Sequence, residues 1–530
     1  MGKLRNIVIV GAGFAGWATA LHMQAIFKNA NITVIGSSEL NIIGAGEGTT
    51  PMIRTFLDKI KITPEELIQN CKSTLKYAVR FDNWNKEGKG TYYNSFRGTP
   101  AVDSEYASLL YDLNIDIINM HCYLYDMQFS ELGIFDAYLN KNKVLFDHHT
   151  LQTLHTGNNK LVNNPALHFD AIEIAEYLKG IGISRNIKYV DDFVIDFAQD
   201  DDGKITKIKC KNSEFPVDFV FDCSGMKRLI IGKLYESEFI NVNDRLPVNR
   251  AIPFFLPPKD EIEPYTTSTA MKFGWSWKIP LQHRYGCGYV FDDTVCTENE
   301  ILKEIEENHP NERIDIPKSF SFNSGYYNEI WIKNCIAIGL SSSFLEPLEA
   351  TSIWMSIACL LHLESHIATM ENLSKQDMDY YNAKFRCSME HFIAYIQFHY
   401  LNKREDTAFW RKVNSRPIST ELKSTLSYKT LLPGTFYDQT KFSNDMLIPL
   451  TSFGQVGWLS VGLGINYFEK KDLQKIYDSY SHFYLEILQN LNQRRILIQN
   501  EVEKAMSHTE YLQRIIGTYR LRENKNLIFK

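Results

Sequence analysis

The chain opens on a continuous β-branched run, Ile7-Val8-Ile9-Val10, which predicts a strand. A glycine turn follows, and Ala18-Thr19-Ala20-Leu21-His22-Met23 then predicts a helix. A second apolar run, Ile32-Thr33-Val34-Ile35, comes at the spacing of a βαβ unit. Residues 52–80 are rich in Lys, Glu and Leu and read as helical. Thr63-Pro64-Glu65-Glu66 supplies a start signal there, a capping hydroxyl followed by proline in the first turn. From about 81 to 150 aromatic content rises and periodicity fades, which predicts irregular structure and short helices around a pocket. Residues 169–180 predict an amphipathic helix. Residues 187–197, 204–210 and 215–221 alternate like strands of an antiparallel sheet, and 250–292 form a further strand-rich block. Ile336-Ala337-Ile338-Gly339 predicts a late buried strand, and beyond about 375 the pattern is helical, with long amphipathic stretches at 376–403 and 470–515.

Composition narrows the class. The 530 residues are 44% hydrophobic, enough for a large core divided among two or three subdomains. No repeat or linker breaks the pattern, so the subdomains are expected to interleave. The net charge of −6 comes from interspersed acids and bases, which argues against a nucleic-acid or membrane partner. Nine scattered cysteines, with no CxxC pair and no metal-ligand spacing, predict reduced thiols and no metal. No signal peptide precedes the first strand, and the apolar run 353–363 is too short to span a bilayer. The expectation is a soluble cytoplasmic protein.

Gly11, Gly13 and Gly16 stand at GxGxxG spacing between the first strand and helix, with Phe14 and Ala15 among them. The first glycine permits the tight turn, the second lets the backbone approach a pyrophosphate, and the third lets helix pack on strand. The motif implies a dinucleotide; its plain alternative is a tight strand-to-helix turn. The acidic residue that usually ends the second strand and takes the ribose is absent from Ile35-Gly36-Ser37-Ser38-Glu39, which leaves Ser37, Ser38 or Glu39 for that part. Further on come a glycine-rich loop, Gly44-Ala45-Gly46-Glu47-Gly48-Thr49-Thr50-Pro51, and a lysine within Ser73-Thr74-Leu75-Lys76-Tyr77-Ala78. The string Gly274-Trp275-Ser276-Trp277-Lys278-Ile279-Pro280 and the segment Phe344-Leu345-Glu346-Pro347-Leu348-Glu349-Ala350-Thr351-Ser352-Ile353 complete the set. Each has a bland reading: a surface loop, a solvated lysine, two core tryptophans on a strand, an acid in the first turn of a helix.

In this order along the chain, these segments resemble the flavin-dependent halogenases of the tryptophan halogenase family. The resemblance implies an α/β fold with an FAD-binding, Rossmann-like core of the GR2, monooxygenase-like type, an antiparallel sheet and a mostly helical C-terminal substrate region. The expected division is a discontinuous FAD core (1–80, 150–240, 330–375), a sheet and substrate-side region (81–149, 241–329) and a helical region (376–530). It implies reduced FAD, O2 and halide as reactants, with FADH2 supplied by a separate flavin reductase. Hypohalous acid would pass through an interior path, walled by Trp275 and Trp277, to Lys76, which hydrogen-bonds it or forms a haloamine. Glu349, the second acid of Glu-Pro-Leu-Glu, matches the carboxylate that stabilises the arenium ion and accepts its proton; Glu346 is left a structural part. Pro347 is expected at a turn or first helical position, with 349–353 opening a helix. Amides at Thr351 and Ser352 would then hold halide, although Ala-Thr-Ser stands where the family has Ser-Thr-Gly. Residues 44–51 match a mobile strap over the flavin, which puts Gly46, Glu47, Gly48 and Thr49 at the cofactor along with Ser38, Leu340 and Ile353. Phe221-Asp222-Cys223-Ser224-Gly225 resembles the second dinucleotide-side motif of flavoprotein monooxygenases, and so does Ile336-Ala337-Ile338-Gly339-Leu340, where Leu340 replaces the Asp usual after the glycine.

Phe96 and Trp458 match substrate-stacking aromatics. Asn94-Ser95 replaces a His-Pro pair of the tryptophan enzymes, and 447–452 lack the tyrosines and glutamate that hold an amino acid. These departures count against free tryptophan, and a smaller or differently substituted indole, or a phenol, fits as well. Two other readings stand: an FAD-dependent aromatic hydroxylase on the same fold, and a catalytically dead FAD-binding partner. Halide, regiochemistry and self-association stay open.

Overall fold

The computed structural model describes residues 4–39, 46–96, 115–144, 165–312, 314–427, 453, 455–481 and 488–517. The opening apolar run is the strand Asn6–Val10, whose last four side chains are buried. It pairs in parallel with Asn31–Gly36 on one side and Phe219–Asp222 on the other. Lys188–Asp191 and Cys335–Ala337 extend the sheet in parallel, and Trp331–Ile332 closes one edge antiparallel, six strands in all. A parallel sheet must be covered on both faces, hence its unbroken apolar strands. The helices Phe14–Ile26 and Ala171–Ser184 pack together on it.

A second sheet has seven strands in the order Phe320–Ser321, Arg250–Leu256, Tyr285–Phe291, Gly274–Pro280, Tyr265–Ala270, Ala78–Asp82 and Thr91–Ser95. All neighbours are antiparallel except Tyr265–Ala270 beside Ala78–Asp82. In a small three-stranded sheet Ala166–Phe169 is flanked by Glu47–Gly48 and Thr74–Lys76.

Three expectations change. Residues 52–80 are helical only as far as Met52–Ile60 and Pro64–Asn70, the latter with the Thr63–Glu66 capping box; Thr74–Lys76 and Ala78–Asp82 are strands. Buried Leu75, Tyr77, Val79 and Phe81 on pleated surfaces outweigh the helix-forming lysines. The helix expected from 169 starts at Ala171, because Asp170 caps it by accepting from the amide of Ile172 at 2.9 Å, and Phe169 ends a strand. The stretch 187–221 splits. Val194–Gln199, Ile205–Cys210 and Glu214–Pro216 form the antiparallel sheet, whereas Lys188–Asp191 and Phe219–Asp222 join the parallel core, pairing with strands far away in sequence.

Within 81–150 the described residues add the helices Ile115–Leu124, Phe129–Leu132 and Ile134–Asn140. The C-terminal part carries the helix Lys375–His399 and the shorter Gln455–Gly464, Lys470–Ser481 and Leu491–Lys504. The apolar run 353–363 is longer in the fold than in the sequence pattern. Short turns extend it to a helical stretch, Leu348–Asn372, long and apolar enough by length and composition to cross a membrane, yet 67% buried inside the fold as a core helix would be.

Candidate active site

The first strand ends in a turn whose glycines have separate physical reasons. Gly11 has φ +118°, and a Cβ there would fall 2.1 Å from the carbonyl oxygen of Cys223. A Cβ on Gly16 would fall 1.9 Å from the carbonyl oxygen of Gly11, so helix and turn close on each other only without one. At Gly13 a Cβ would meet no heavy atom within 4 Å. Phe14 and Ala15 open the helix; the Phe14 ring lies 5.1 Å from that of Phe169. The short turn Gly339–Ser341, with Leu340 at its centre, abuts this helix start, since a Cβ on Gly339 would fall 2.8 Å from that of Ala15. The helix Thr351–Leu363, with Ile353 buried in its first turn, packs against the same turn. The glycine turn, the Leu340 turn and the helix Thr351–Leu363 therefore form one neighbourhood, in which a Cβ on Gly339 would also fall 3.8 Å from the Ser356 hydroxyl.

Sequence reasoning missed Asp191. It ends the next parallel strand, opposite Gly36, and its Oδ1 accepts from the amide of Ser38 at 2.8 Å. Hydrogen bonds from Ser38 hold its carboxyl below the usual range. A carboxylate thus stands beside Ser38 from the neighbouring strand, a relation that spacing within one βαβ unit cannot encode.

Of the glycine-rich loop, Gly44 and Ala45 lie outside the described residues. Glu47 and Gly48 pair with Phe169 and His168. The Thr49 amide and hydroxyl both donate to the Leu167 carbonyl, each at 2.9 Å. Burial and the negative charge of Asp170 push the Glu47 carboxyl up to about 7.

Lys76 stands on the other flank of the same short strand, opposite Ala166. Its side chain is 1% exposed, against the solvated position usual for lysine. Nζ donates to the Thr49 carbonyl at 3.0 Å and lies 5.2 Å from the centroid of the Phe96 ring. Burial brings its pKa down to about 8, with the charge of Glu349 opposing the shift. Such a group shifts readily between ammonium and amine near neutral pH.

Glu349 is not on a helix. Glu349 and Ala350 both have left-handed backbones, φ +64° and +55°, and the helix begins at Thr351 with Ala350 as its cap. Leu348 and Glu349 are both buried, so this left-handed kink ahead of the helix sets the carboxylate inside the fold. Glu349 Oε1 accepts from Asn94 Nδ2 at 2.7 Å, and His399 Nε2 lies 3.2 Å away. Asn94 sits on the strand Thr91–Ser95, two residues before Phe96, so one strand end presents both the ring beside the lysine and the partner of the carboxylate. Thr351 and Ser352 occupy the first turn of the helix, where amides lack intrahelical acceptors. The hydroxyl of Thr351 is buried and, among the described residues, has no polar partner.

Glu346 has a separate surrounding. It is fully buried, and its Oε1 accepts from the Trp275 indole at 3.2 Å and the Tyr400 hydroxyl at 2.6 Å. Burial raises its carboxyl to about 8. Trp275 and Trp277 lie on one face of a central strand, rings 6.2 Å apart, both buried. Trp458 is also buried; its ring neighbours are Tyr395, Phe398 and His391, not Phe96. Residues 447–452 lie outside the described residues.

Fold and site together define an α/β enzyme with a dinucleotide-type glycine turn and, apart from it, a buried lysine acting electrostatically with a carboxylate. The family model described as tryptophan halogenase matches residues 6–468. The tryptophan 7-halogenase RebH of Lentzea aerocolonigenes is 32% identical over 422 residues, 77% of this chain and 79% of RebH. The tryptophan 6-halogenase ThaL of Streptomyces albogriseolus is 29% identical over 482 residues, 82% and 85% of the two chains. Among solved structures, BrvH, a flavin-dependent halogenase from Brevundimonas sp. BAL3, superposes with a TM-score of 0.78 at 25% identity over 97% of this chain and 99% of that one. The chain belongs to the tryptophan halogenase family, enzymes that use reduced flavin to halogenate aromatic substrates.

The residues present fit FAD. The backbone at Gly13 is open where a pyrophosphate needs close approach, at the N-terminus of a helix. Near the Thr351 turn, the buried Trp354 indole N–H and Thr351 hydroxyl are polar groups without partners among the described residues.

Proposed function

We propose that this enzyme halogenates an electron-rich arene of indole or phenol type, with Lys76 delivering the halogen and Glu349 managing the charge and proton of the ring. FAD would be held by Gly11, Gly13, Phe14, Ala15 and Gly16 at the pyrophosphate and by Ser38 with Asp191 at the ribose. Gly46, Glu47, Gly48 and Thr49 would cover it, with Leu340 and Ile353 beneath. Reduced FAD, arriving from a separate reductase, supplies with O2 and halide the hypohalous acid. Thr351 and Ser352 hold the halide by first-turn amides. Lys76 receives the oxidant, as an ammonium that hydrogen-bonds it or as an amine that takes the halogen; a pKa near 8 leaves both forms accessible. Phe96 orients the arene by stacking, and Trp458 supports that region. Glu349 lowers the energy of the cationic ring and accepts its proton.

One observation carries this reading: Lys76, buried and with a depressed pKa, lies against Phe96, and Asn94 of the same strand end holds Glu349. A surface lysine and a helix-capping acid would have neither feature. The named relatives act on tryptophan. Here Asn94 is engaged with Glu349 and with Tyr395 at 3.1 Å, which favours a smaller or differently substituted indole, or a phenol.

The test is a mass-spectrometric screen of tryptophan, indoles and phenols with a flavin reductase, FAD, NADH and chloride, bromide or iodide in turn. Halide-dependent replacement of H by X on a ring is expected. Addition of oxygen regardless of halide would make the enzyme a hydroxylase, and flavin binding without product would make it a non-catalytic partner.

A further inference from the structure

Behind Glu349 lies a polar array with no part in the reading above. His399 ends the long helix Lys375–His399 and is fully buried. Its Nδ1 lies 3.2 Å from the Tyr92 hydroxyl, and its Nε2 lies 3.2 Å from Glu349 Oε1. The second approach is off the line of a made hydrogen bond, the loose geometry of catalytic pairs before substrate binds. Among the described residues Nε2 has no other polar partner. The ring is held on three sides: Phe81 stacks on it at 4.6 Å, and Tyr395 and Trp84 meet it edge-on at 5.2 and 6.0 Å. It can turn slightly but not leave.

We propose that His399 is the positioning residue of Glu349, a Tyr92–His399–Glu349 relay that makes one carboxylate oxygen the base. The proposal rests on the carboxylate reading of Glu349. Tyr92 is fully encased, and burial, then the charge of Glu349, raises its hydroxyl well above the ordinary range, so it keeps its proton and donates to Nδ1. A neutral imidazole that accepts at Nδ1 must carry its proton on Nε2. A small turn of the ring brings that proton from its off-line approach, 3.2 Å between Nε2 and Oε1, onto Oε1, which already accepts from Asn94. With two N–H donors on Oε1, negative charge there is satisfied and Oε2 is the oxygen free to take the ring proton. Asn94 alone leaves the carboxylate able to rotate about its last torsion; a second donor from the opposite element stops that rotation.

The experiment uses the full chain loaded with FAD and supplied by a reductase. It compares His399→Leu, His399→Gln, Tyr92→Phe, Glu349→Gln and the double variant His399→Leu/Glu349→Gln. Measured are kcat and KM for the arene, halide-dependent hypohalous acid formed without arene, and FAD affinity. His399→Leu should lower kcat about tenfold or more, the size expected for a hydrogen bond to a charged group, with KM, oxidant formation and FAD affinity unchanged. His399→Gln, which keeps an N–H donor, should recover most of that rate, Tyr92→Phe should lose a few-fold, and the double variant should match Glu349→Gln alone. If His399→Leu binds no FAD, the Gln and Tyr92→Phe variants decide. Normal kcat in His399→Leu or Tyr92→Phe, with Glu349→Gln slow, overturns the relay and leaves the carboxylate reading standing. Losses that multiply in the double variant overturn it equally. Normal turnover in Glu349→Gln removes the carboxylate reading and the relay together.

Discussion

Gly13→Ala separates folding from cofactor binding at the glycine turn. The native backbone there, φ −78° and ψ −171°, suits any residue, and a methyl group would touch nothing within 4 Å. Replacing glycine at such a position stiffens the unfolded chain and should stabilise the apoprotein by about 0.4–1 kcal/mol. The methyl would instead stand on the face where the pyrophosphate approaches the backbone. Crowding of that kind costs about 1–3 kcal/mol, which weakens FAD binding about 5- to 150-fold. Gly16→Ala and Gly11→Ala should do the opposite. Their Cβ atoms would lie 1.9 and 2.1 Å from backbone oxygens, so the apoprotein itself should be destabilised. The assay is a denaturant melt of the three apo variants beside an FAD titration followed by flavin fluorescence. Gly13→Ala binding FAD as tightly as wild type would refute the pyrophosphate assignment. Gly13→Ala melting as early as Gly16→Ala would refute the geometry.

Lys76→Ala should abolish halogenation while FAD and hypohalous acid formation persist, read by product mass and flavin fluorescence; normal turnover would end the assignment. Lys76→Met probes the depressed pKa through stability. The unfolded chain holds its lysine proton up to about 10.5 and the folded one only to about 8, so the folded form gains stability as pH rises between these values and lacks that contribution below about 8. Met has no such term. Its advantage over wild type should be about 3 kcal/mol larger at pH 7 than above pH 10.5, measured by urea unfolding; a pH-independent difference would contradict burial of the charge. Glu349→Gln should slow ring halogenation at least tenfold in single-turnover kinetics, and an unchanged rate would move the carboxylate role to Glu346. Asp191→Ala should weaken FAD binding several-fold without altering the Lys76 chemistry, and equal FAD affinity would return the ribose contact to Ser38 alone.

What could be read from the chain alone was local or carried by motif. The first βαβ unit appears as expected, because unbroken apolar runs at short spacing determine it. So do the strand block at 250–292 and, among the described residues, the helical C-terminal part. The strand under Lys76 was not legible, since Thr74–Lys76 becomes a strand only by pairing with Ala166–Phe169, some ninety residues later. The same holds for Asp191, Asn94 and His399. Each meets its partner across a distance that periodicity does not report, and each taken singly looks like an ordinary polar residue.

The two successive left-handed residues, Glu349 and Ala350, bear on how the carboxylate should be probed. Each carries a strain of about 1–2 kcal/mol for a residue with a Cβ, and the grip of Asn94 on the Glu349 side chain helps to hold that tension. Alanine at 349 would release the latch as well as the charge, letting the kinked segment recoil toward helix and carrying the first-turn amides of Thr351 and Ser352 with it. A truncation there blends two defects, whereas an isosteric amide keeps the spring wound and removes only the charge.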